Sequence, residues 1–321
     1  MSINIVKELA NDTVAPRQAY CDALIEMAKE DARVVVLDAD LIGALGVKPF
    51  QKAFPERTFD CGIMEANMIG TAAGLSATGF IPFAHSFGTF ASRRCYDQVF
   101  MSCAYARQNV KIVGSDPGIY AATNGGTHMP FEDVALMRTL PGATVVEPVD
   151  SLAVRELVRM AKDTYGVWYL RFPRKNCVKI YEEGTTFTYG KANRLRDGKD
   201  VTLIAAGYCV AEALKAADIL SAEGISARVL DMFCIKPLDG EAVLAAAKET
   251  GAIVTAENHN VVNGLGSAVA DALAAGYPAP LEKIGAQDVF GEVGPTPWLA
   301  KRFGMTAEDI VGAAKKAIAR K

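Results

Sequence analysis

A carboxylate, Glu65, lies near the start of a segment built mainly from glycine, alanine, methionine and small polar residues, FDCGIMEANMIGTAAGLSATGF, whose one other acid is Asp60. An acid in the first turn of a helix is stabilised by the helix dipole, and this structural role is one interpretation. The alternative is a partly buried carboxylate that exchanges a proton or a hydrogen bond with a bound heterocycle. Position and spacing alone leave both interpretations open.

Two aromatic residues follow the acid along the chain. Phe87 and Phe90 are three residues apart at a predicted helix start. Phenylalanines at this spacing usually belong to a hydrophobic core, but beside an acid they can also form a slot for a flat aromatic ring. The three side chains together therefore indicate a candidate heterocycle site.

The elements that must position these side chains follow a βαβ pattern, in which apolar runs alternate with helix-period segments. The predicted strands are RVVVLDAD, FIPFA, VKIVGS, ATVVEP, VWYLRF, DVTLIAAG, ISARVLD and GAIVTAEN. Helices are predicted from Pro16 to about residue 30, from near Glu65, from Ser86 to about Gln108, from Asp150, from about Val210, after Pro237, and over 306–320. Chemistry gathers at the carboxyl ends of parallel strands, and RVVVLDAD ends in Asp38 and Asp40.

The alternating pattern is interrupted between Pro173 and about Asp200 by charged and glycine-containing segments. We therefore predict an α/β domain over residues 1–175, a linker over 176–199 and a second, smaller α/β domain over 200–321. The helix at Glu65 would place small residues on one stripe, Ala66, Gly70, Ala73 and Ala77. Such a stripe predicts close packing by another helix, including one from another subunit.

The bulk composition excludes several classes of protein. A net charge of −3 and a pI near 5.8 leave no basic field for nucleic acid or anionic lipid. No window approaches the length of apolar sequence that a membrane span needs. The seven cysteines and three histidines show no disulfide or metal-site spacing. These features predict a protein of the reducing cytoplasm without a metal site of its own and without nucleic-acid or membrane partners.

Four motifs in order carry a resemblance to a known family: GIMEANMIGTAAGLSATGFIPF, SFGTFASRRCYDQV, GGTHMPFEDVALMRTLPGATVVEPVD and LRFPRKN. The chain resembles the transketolase family, and more narrowly the separately encoded C-terminal half of split bacterial transketolases. The resemblance implies an α/β fold of two doubly wound domains, a thiamine-diphosphate pyrimidine-binding domain followed by a transketolase C-terminal domain.

The resemblance also implies roles for the residues of the candidate site. Glu65 matches the glutamate that hydrogen-bonds the aminopyrimidine of thiamine diphosphate and promotes loss of the thiazolium proton. Phe87 and Phe90 match aromatic residues that hold the pyrimidine, and Arg93 stands where many relatives have a third aromatic residue. Asp40 is a further expected cofactor contact, and His128 matches a catalytic histidine of the substrate channel.

Substrate contacts are implied for Arg174 and Arg17, which match arginines that bind the phosphate of a sugar. The chain departs from the family pattern at several matched positions, namely Ala44, His85, Asp116 and Asn124. His85, Asp116 and Asn124 are expected among the substrate-binding residues. Because these departures change the charge and the donors around the sugar, the resemblance leaves open a sulfonated or branched sugar as substrate. His259 is given no catalytic role.

The Gly-Asp-Gly segment with which the family binds Mg²⁺ and diphosphate is absent, since RDGKD and LDGEA lack its pattern. The resemblance therefore implies an N-terminal transketolase subunit as partner that supplies these ligands, in an α2β2 heterotetramer. It implies a transferase that moves a two-carbon ketol unit between sugars and is active only with that partner.

Three alternatives stay open. One is the β subunit of a 2-oxo-acid dehydrogenase decarboxylase, although that class has a different segment at THMPFEDVALMR. Another is deoxyxylulose-phosphate synthase, which is usually a single long chain. The third is a non-catalytic scaffold paralogue.

Overall fold

A computed structural model describes residues 2–321 of the chain, and it consists of α/β layers built on two large sheets. The strands are β1 (Ile5–Asn11), β2 (Val34–Asp38), β3 (Thr58–Asp60), β4 (Ile81–Phe87), β5 (Lys111–Ser115), β6 (Thr144–Val146), β7 (Trp168–Phe172), β8 (Val178–Tyr181), β9 (Asn193–Arg196), β10 (Val201–Ala205), β11 (Ala227–Asp231), β12 (Cys234–Lys236), β13 (Ile253–Asn260) and β14 (Leu281–Ala286). The α-helices are α1 (Pro16–Glu30), α2 (Lys48–Ala53), α3 (Glu65–Ala77), α4 (Gly88–Ala91), α5 (Tyr96–Gln98), α6 (Asp133–Arg138), α7 (Ser151–Asp163), α8 (Tyr208–Ala222), α9 (Gly240–Thr250), α10 (Leu265–Gly276), α11 (Thr296–Arg302) and α12 (Ala307–Ile318).

The N-terminal sheet has seven strands in the order β12-β6-β7-β5-β4-β2-β3. Its strands are parallel except for β12, which runs antiparallel to β6. Alternate residues of β2 belong to different cores: Val34 and Val36 pack in the cluster of α1 and α7, whereas Val35 and Leu37 pack in the cluster of α3. Helices therefore cover both faces of this sheet, as in a doubly wound fold.

The C-terminal sheet has five strands in the order β14-β13-β10-β11-β9, with β9 antiparallel and the other strands parallel. Its neighbouring residues also alternate between two cores. Leu203 of β10 packs in the cluster of α8 and α12, and Ile204 packs in the cluster of α9 and α10. Two doubly wound α/β domains, predicted from the sequence, are confirmed.

The segment predicted as a linker contains two strands. β8 pairs antiparallel with β1 near the start of the chain, and β9 forms one edge of the C-terminal sheet. In addition, β12 comes from the C-terminal half but joins the edge of the N-terminal sheet. The two halves are thus tied together by strand pairing, and the boundaries at residues 175 and 200 stay predictions.

The long helix predicted from Ser86 to about Gln108 is wrong. Ser86 and Phe87 end β4, and the helix that follows is interrupted at Ser92, which has φ −113° and ψ −85°. The hydroxyl of Ser92 donates to the carbonyl of Gly88 at 2.6 Å, and residues 93–105 continue as short 3₁₀, α and π segments. Apolar spacing persists across the break because Ala91 before it and Cys95, Val99 and Cys103 after it belong to one hydrophobic core with α3, so periodicity alone could not reveal it.

The small-residue stripe of α3 is only partly covered by the residues that the structure describes, because Ala66 and Ala73 pack into a core while Gly70 has no close neighbour. A Cβ atom added at Gly70 or Gly74 would meet nothing within 4 Å. The expectation of another helix against this stripe therefore depends on another subunit and stays a prediction. No helix within residues 2–321 combines the length and apolarity needed to cross a membrane.

Candidate active site

Four adjacent parallel strands, β2, β4, β5 and β7, end at the same edge of the N-terminal sheet. Phe87, Ser115 and Phe172 are partners in register across the ends of β4, β5 and β7. The residues that follow these ends carry charge, Asp116 after β5 and Arg174 after β7. The strand register thus brings together side chains that are far apart along the chain.

Glu65 is the first residue of α3, and its side chain is 1% exposed. The hydroxyl of Ser86, at the end of β4, donates to Glu65 Oε1 at 3.2 Å. Arg94 Nη1 lies 3.1 Å from Oε1 and 3.0 Å from Oε2 of the same carboxylate. The acid is therefore a buried acceptor with one partner on the sheet and one on a segment that is open to solvent.

Three aromatic rings form the wall beside this acid. The ring of Phe90 lies 6.2 Å from that of Phe87, and the ring of His128 lies 5.9 Å from Phe87 and 5.1 Å from Phe90, all edge to face. The hydroxyl of Thr127 is 2.9 Å from His128 Nδ1, which leaves Nε2 without a hydrogen bond to residues 2–321. The structure therefore brings the predicted site residues Phe87, Phe90 and His128 together, and their roles stay predictions.

The arginine that lies on the aromatic wall is Arg94, not the predicted Arg93. The Arg94 guanidinium carbon is 3.7 Å from the centroid of Phe90. Arg93 turns away and pairs with Glu132 at 3.0 Å. The two neighbours point apart because they follow the helix break, and the pair of consecutive arginines was the only sequence signal for Arg94.

Asp116 and Arg174 form a close ion pair at the other end of the wall. The main-chain N–H of Arg174 donates to Asp116 Oδ1 at 2.9 Å, and Nε donates to Oδ2 at 2.5 Å. The Arg174 guanidinium also lies 4.6 Å from the centroid of Phe87. Burial raises the pKa of the Asp116 carboxyl, and the charge of Arg174 opposes this rise.

Arg17 lies next to this pair through backbone and side-chain contacts. Its main-chain N–H faces the carbonyl of Arg174 at 3.4 Å, and its Nη1 donates to the carbonyl of Ala44 at 3.0 Å. Both predicted anion-binding arginines therefore belong to one end of the site.

Asn124 lies in the loop after β5, beside a cavity of about 510 Å³ where the two halves of the chain meet. Asp116 and Arg174 line the same cavity from the N-terminal half, and Tyr208 and Glu212 line it from the C-terminal half. The structure thus joins Asn124 to the ion pair through a shared cavity.

The side-chain amide of Asn258, in the C-terminal half, makes two hydrogen bonds to the same loop. Asn258 accepts from the N–H of Ile119 at 2.9 Å and donates to the carbonyl of Pro117 at 2.9 Å. Gly118 has φ +49°, and a Cβ atom there would lie 2.0 Å from Asn258 Oδ1. Only glycine therefore fits at position 118, where the loop backbone lies against Asn258.

Two predicted site residues do not join this group. His85 is fully buried, with Nε2 2.7 Å from Asp38 and Nδ1 3.1 Å from the hydroxyl of Tyr20. Both ring nitrogens are occupied, so a substrate contact by His85 is corrected to a contact inside the core. Asp40 is exposed at φ +61°, where its N–H donates to Asp60 at 3.0 Å. Its expected cofactor contact stays a prediction.

Sequence reasoning missed a buried charge network behind the site. Arg171 is fully buried and donates to Asp133 at 2.9 Å, to Glu147 at 2.8 Å and to the carbonyl of Asn258 at 3.0 Å. Tyr169 also donates to Asp133, at 2.8 Å. Burial raises the pKa of Glu147 while Arg171 lowers it. The charged residue inside the apolar strand WYLRF was the available signal.

His259 is buried beside this network, and its Nδ1 lies 2.7 Å from the carbonyl of Asn260. Burial lowers the pKa of His259 to about 4, so the ring is neutral at physiological pH. Within residues 2–321, no group of three or more His, Cys, Asp or Glu side chains could hold a metal ion.

Comparison with known proteins gives a consistent result along nearly the whole chain. Residues 12–179 match the family model of the transketolase pyrimidine binding domain, and residues 190–310 match that of the transketolase C-terminal domain. The chain is 53% identical over 305 residues to the 6-deoxy-6-sulfo-D-fructose transketolase subunit SqwH of Clostridium sp. (strain MSTE9), covering 95% of each protein.

Two further relatives extend this result. The chain is 37% identical over 303 residues to one of the subunits of the apulose-4-phosphate transketolase of Phocaeicola vulgatus, covering 94% of this chain and 97% of that protein. A solved structure described as a split gene transketolase, inactive beta4 tetramer, matches with a TM-score of 0.90 and 44% identity. That match covers 95% of this chain and 99% of the other.

Proposed function

Because the chain belongs to the transketolase family, we propose that it is one subunit of a two-chain, thiamine-diphosphate-dependent enzyme that moves a two-carbon ketol unit between sugars. The proposal rests on one arrangement in particular. A buried carboxylate, Glu65, and an aromatic face, Phe90, both contact a single planar, nitrogen-bearing group, the guanidinium of Arg94.

That arrangement fits the aminopyrimidine of the cofactor. A flat ring with N–H donors makes the same demands as the guanidinium, namely an acceptor in its plane and an aromatic surface on its face. Glu65 would accept or share the proton at a ring nitrogen, and Phe87 and Phe90 would hold the ring. The bound cofactor supplies the electron sink for cleavage of the ketol carbon–carbon bond.

The remaining residues of the site have roles on the substrate side. His128 lies in the aromatic wall with no hydrogen bond from Nε2 to the described residues, and this nitrogen can donate a proton to, or accept one from, a sugar oxygen. Arg174 and Arg17 lie at the far end, where guanidinium groups suit the terminal anion of the sugar. A ketose would then extend from Glu65 and His128 toward the arginines.

A partner chain is part of the proposal. The described residues offer no metal cluster, so Mg²⁺ and the diphosphate are assigned to an N-terminal subunit in an α2β2 heterotetramer. Ile63 and Met64 precede Glu65 and are 71% and 60% exposed, which supports burial of this edge by another subunit. The similar solved tetramer of β chains is described as inactive, which supports dependence on a partner.

The substrate class is narrowed by the relatives. One of them is named for a sulfonated ketose and another for a phosphorylated one, and both sugars carry a terminal anion. We assign an anionic ketose of this kind to the chain. The seven cysteines are all free thiols, which supports a cytoplasmic enzyme.

Reconstitution tests this function. The chain is mixed with its N-terminal partner, thiamine diphosphate and Mg²⁺, and product sugars are followed by mass spectrometry. Ketol transfer by the mixture, with none by the chain alone, is expected. Acyl transfer to a lipoyl acceptor would instead identify a 2-oxo-acid dehydrogenase subunit, and a complex without turnover would identify a scaffold.

A further inference from the structure

The ion pair of Asp116 and Arg174 changes what the anion-binding end of the site can hold. Asp116 uses both oxygens on Arg174, one on the main-chain N–H and one on Nε. The Nε side of the guanidinium fork is thereby occupied, and only the two Nη groups are left for a ligand. An incoming anion therefore meets an arginine whose charge is already balanced by a carboxylate.

The carboxylate is held in this position by its surroundings. Asp116 has φ +53°, a conformation that aspartate tolerates better than most residues, and its side chain is 10% exposed. Its N–H donates to the carbonyl of Phe172 at 3.1 Å. The backbone and the side chain of Asp116 are thus both hydrogen-bonded at the end of β7, and these bonds hold the carboxylate against the arginine.

The charged groups around Asp116 are few. Arg174 and Lys175 act on it from the segment after β7, and Arg17 approaches the same segment from the start of α1. Glu212 faces the shared cavity from α8. The surroundings thus hold three cations, and Asp116 is the anion in direct contact with the guanidinium of Arg174.

We propose that Asp116 is a specificity-determining residue that biases the anion subsite toward sugars whose terminal group carries one negative charge, as a sulfonate does. This inference rests on the proposed function, because it assigns the terminal anion to Arg174. A phosphate monoester carries close to two negative charges at neutral pH, since its second pKa is about 6. Repulsion by Asp116 therefore acts about twice as strongly on a phosphate as on a sulfonate.

Binding of two matched, non-reacting probes tests the proposal on the assembled two-chain complex. Glucitol 6-phosphate and 6-deoxy-6-sulfoglucitol share the same carbon chain and differ in the group at C6, a phosphate ester or a directly attached sulfonate, and calorimetry gives the dissociation constant of each. Replacing Asp116→Asn removes the charge but keeps an acceptor for Arg174. We expect this variant to improve phosphate binding relative to sulfonate binding by about tenfold.

The matched control is Asp218→Asn, which removes an aspartate paired with Arg196 far from the site, in the C-terminal half. The control should leave the ratio of the two dissociation constants at its wild-type value. A folded Asp116→Asn complex that also keeps the wild-type ratio overturns the proposal.

Asp116→Ser, a smaller neutral substitution, decides the question if Asp116→Asn fails to assemble. As pH rises through about 6, the phosphate probe gains its second charge while the sulfonate stays singly charged. The improvement of phosphate over sulfonate binding in the neutral variant, relative to wild type, should therefore grow between about pH 5 and pH 7.5, and an improvement that does not change with pH overturns the proposal. Because binding is measured without turnover, absence of ketol transfer counts against the proposed function and leaves this test intact.

Discussion

Arg94 donates through one guanidinium nitrogen to both carboxylate oxygens of Glu65, at 3.1 and 3.0 Å, while its guanidinium carbon lies 3.7 Å from the centroid of Phe90. Arg94 thus occupies both groups that the proposed cofactor ring would contact, the carboxylate of Glu65 and the ring of Phe90. Since the Arg94 side chain is 44% exposed, it can rotate into solvent without disturbing the core.

The first prediction is that Arg94→Ala strengthens binding of thiamine diphosphate to the assembled complex. The ion pair is exposed to solvent on the Arg94 side. Such an ion pair and a cation–π contact are each worth about 0.5–1 kcal/mol, so removal of both should lower the dissociation constant by about fivefold to thirtyfold. Titration followed by tryptophan fluorescence or calorimetry measures this change. Arg93→Ala is the control, because Arg93 pairs with Glu132 instead. Weaker binding by Arg94→Ala would show that the arginine helps to hold the ring.

The second prediction concerns the carboxylate itself. Glu65→Gln keeps the size and the acceptor oxygen but cannot exchange a proton, so turnover should fall by about 10²–10⁴-fold. Assembly with the partner, measured by analytical ultracentrifugation, should be unchanged. Glu132→Gln removes a neighbouring acid outside the slot and should leave turnover within about threefold of wild type. Unchanged turnover in Glu65→Gln would remove Glu65 from the catalytic role.

Which parts of this site could be predicted from the sequence depends on how far apart along the chain the contacting residues lie. Glu65 at a helix start and the charged residues after β5 and β7 follow from local patterns, because a buried parallel strand and a helix onset each have a sequence signature. Local patterns could not decide whether Arg93 or Arg94 lies on the aromatic wall. The choice depends on the break at Ser92, and periodicity continues through that break.

Contacts between segments that are far apart in the sequence also could not be predicted. His85 was expected to contact substrate because it stands at a matched position where the chain departs from the family pattern, yet the direction of its side chain is set by Tyr20 and Asp38 on neighbouring elements. The network of Arg171 likewise draws on Asp133, Glu147 and Asn258. Such partners become visible only when the sheet order is known.

The third prediction tests that network through stability. Arg171→Met leaves the buried carboxylates of Asp133 and Glu147 without their cation, so the free energy of unfolding should fall by about 3–5 kcal/mol. Urea unfolding monitored by circular dichroism measures the change. Arg155→Met is the control, because Arg155 pairs with the exposed Glu183 and should cost less than about 1 kcal/mol. Equal losses in the two variants would contradict the structural role of Arg171.

The last prediction concerns a buried acid in the C-terminal half. Asp231 is fully buried, accepts from the hydroxyl of Tyr181 at 2.6 Å through Oδ2, and has no partner for Oδ1 among the described residues. Burial raises the pKa of Asp231 to about 8. The folded state therefore keeps a proton that the unfolded state releases above about pH 4. Its contribution to stability is complete below that pH and is lost as pH rises to about 8.

Asp231→Asn should remove this dependence, because an amide never has to ionise in the core. Measured by urea unfolding, the variant should gain about 2 kcal/mol or more relative to wild type between about pH 5 and pH 9. Other buried acids, such as Glu257, are present in both proteins and cancel in the difference. Asp197→Asn, at an exposed position, is the control. Parallel stability curves for Asp231→Asn and wild type would show that Asp231 is ionised in the folded protein across this range, and that Tyr181 alone stabilises the charge.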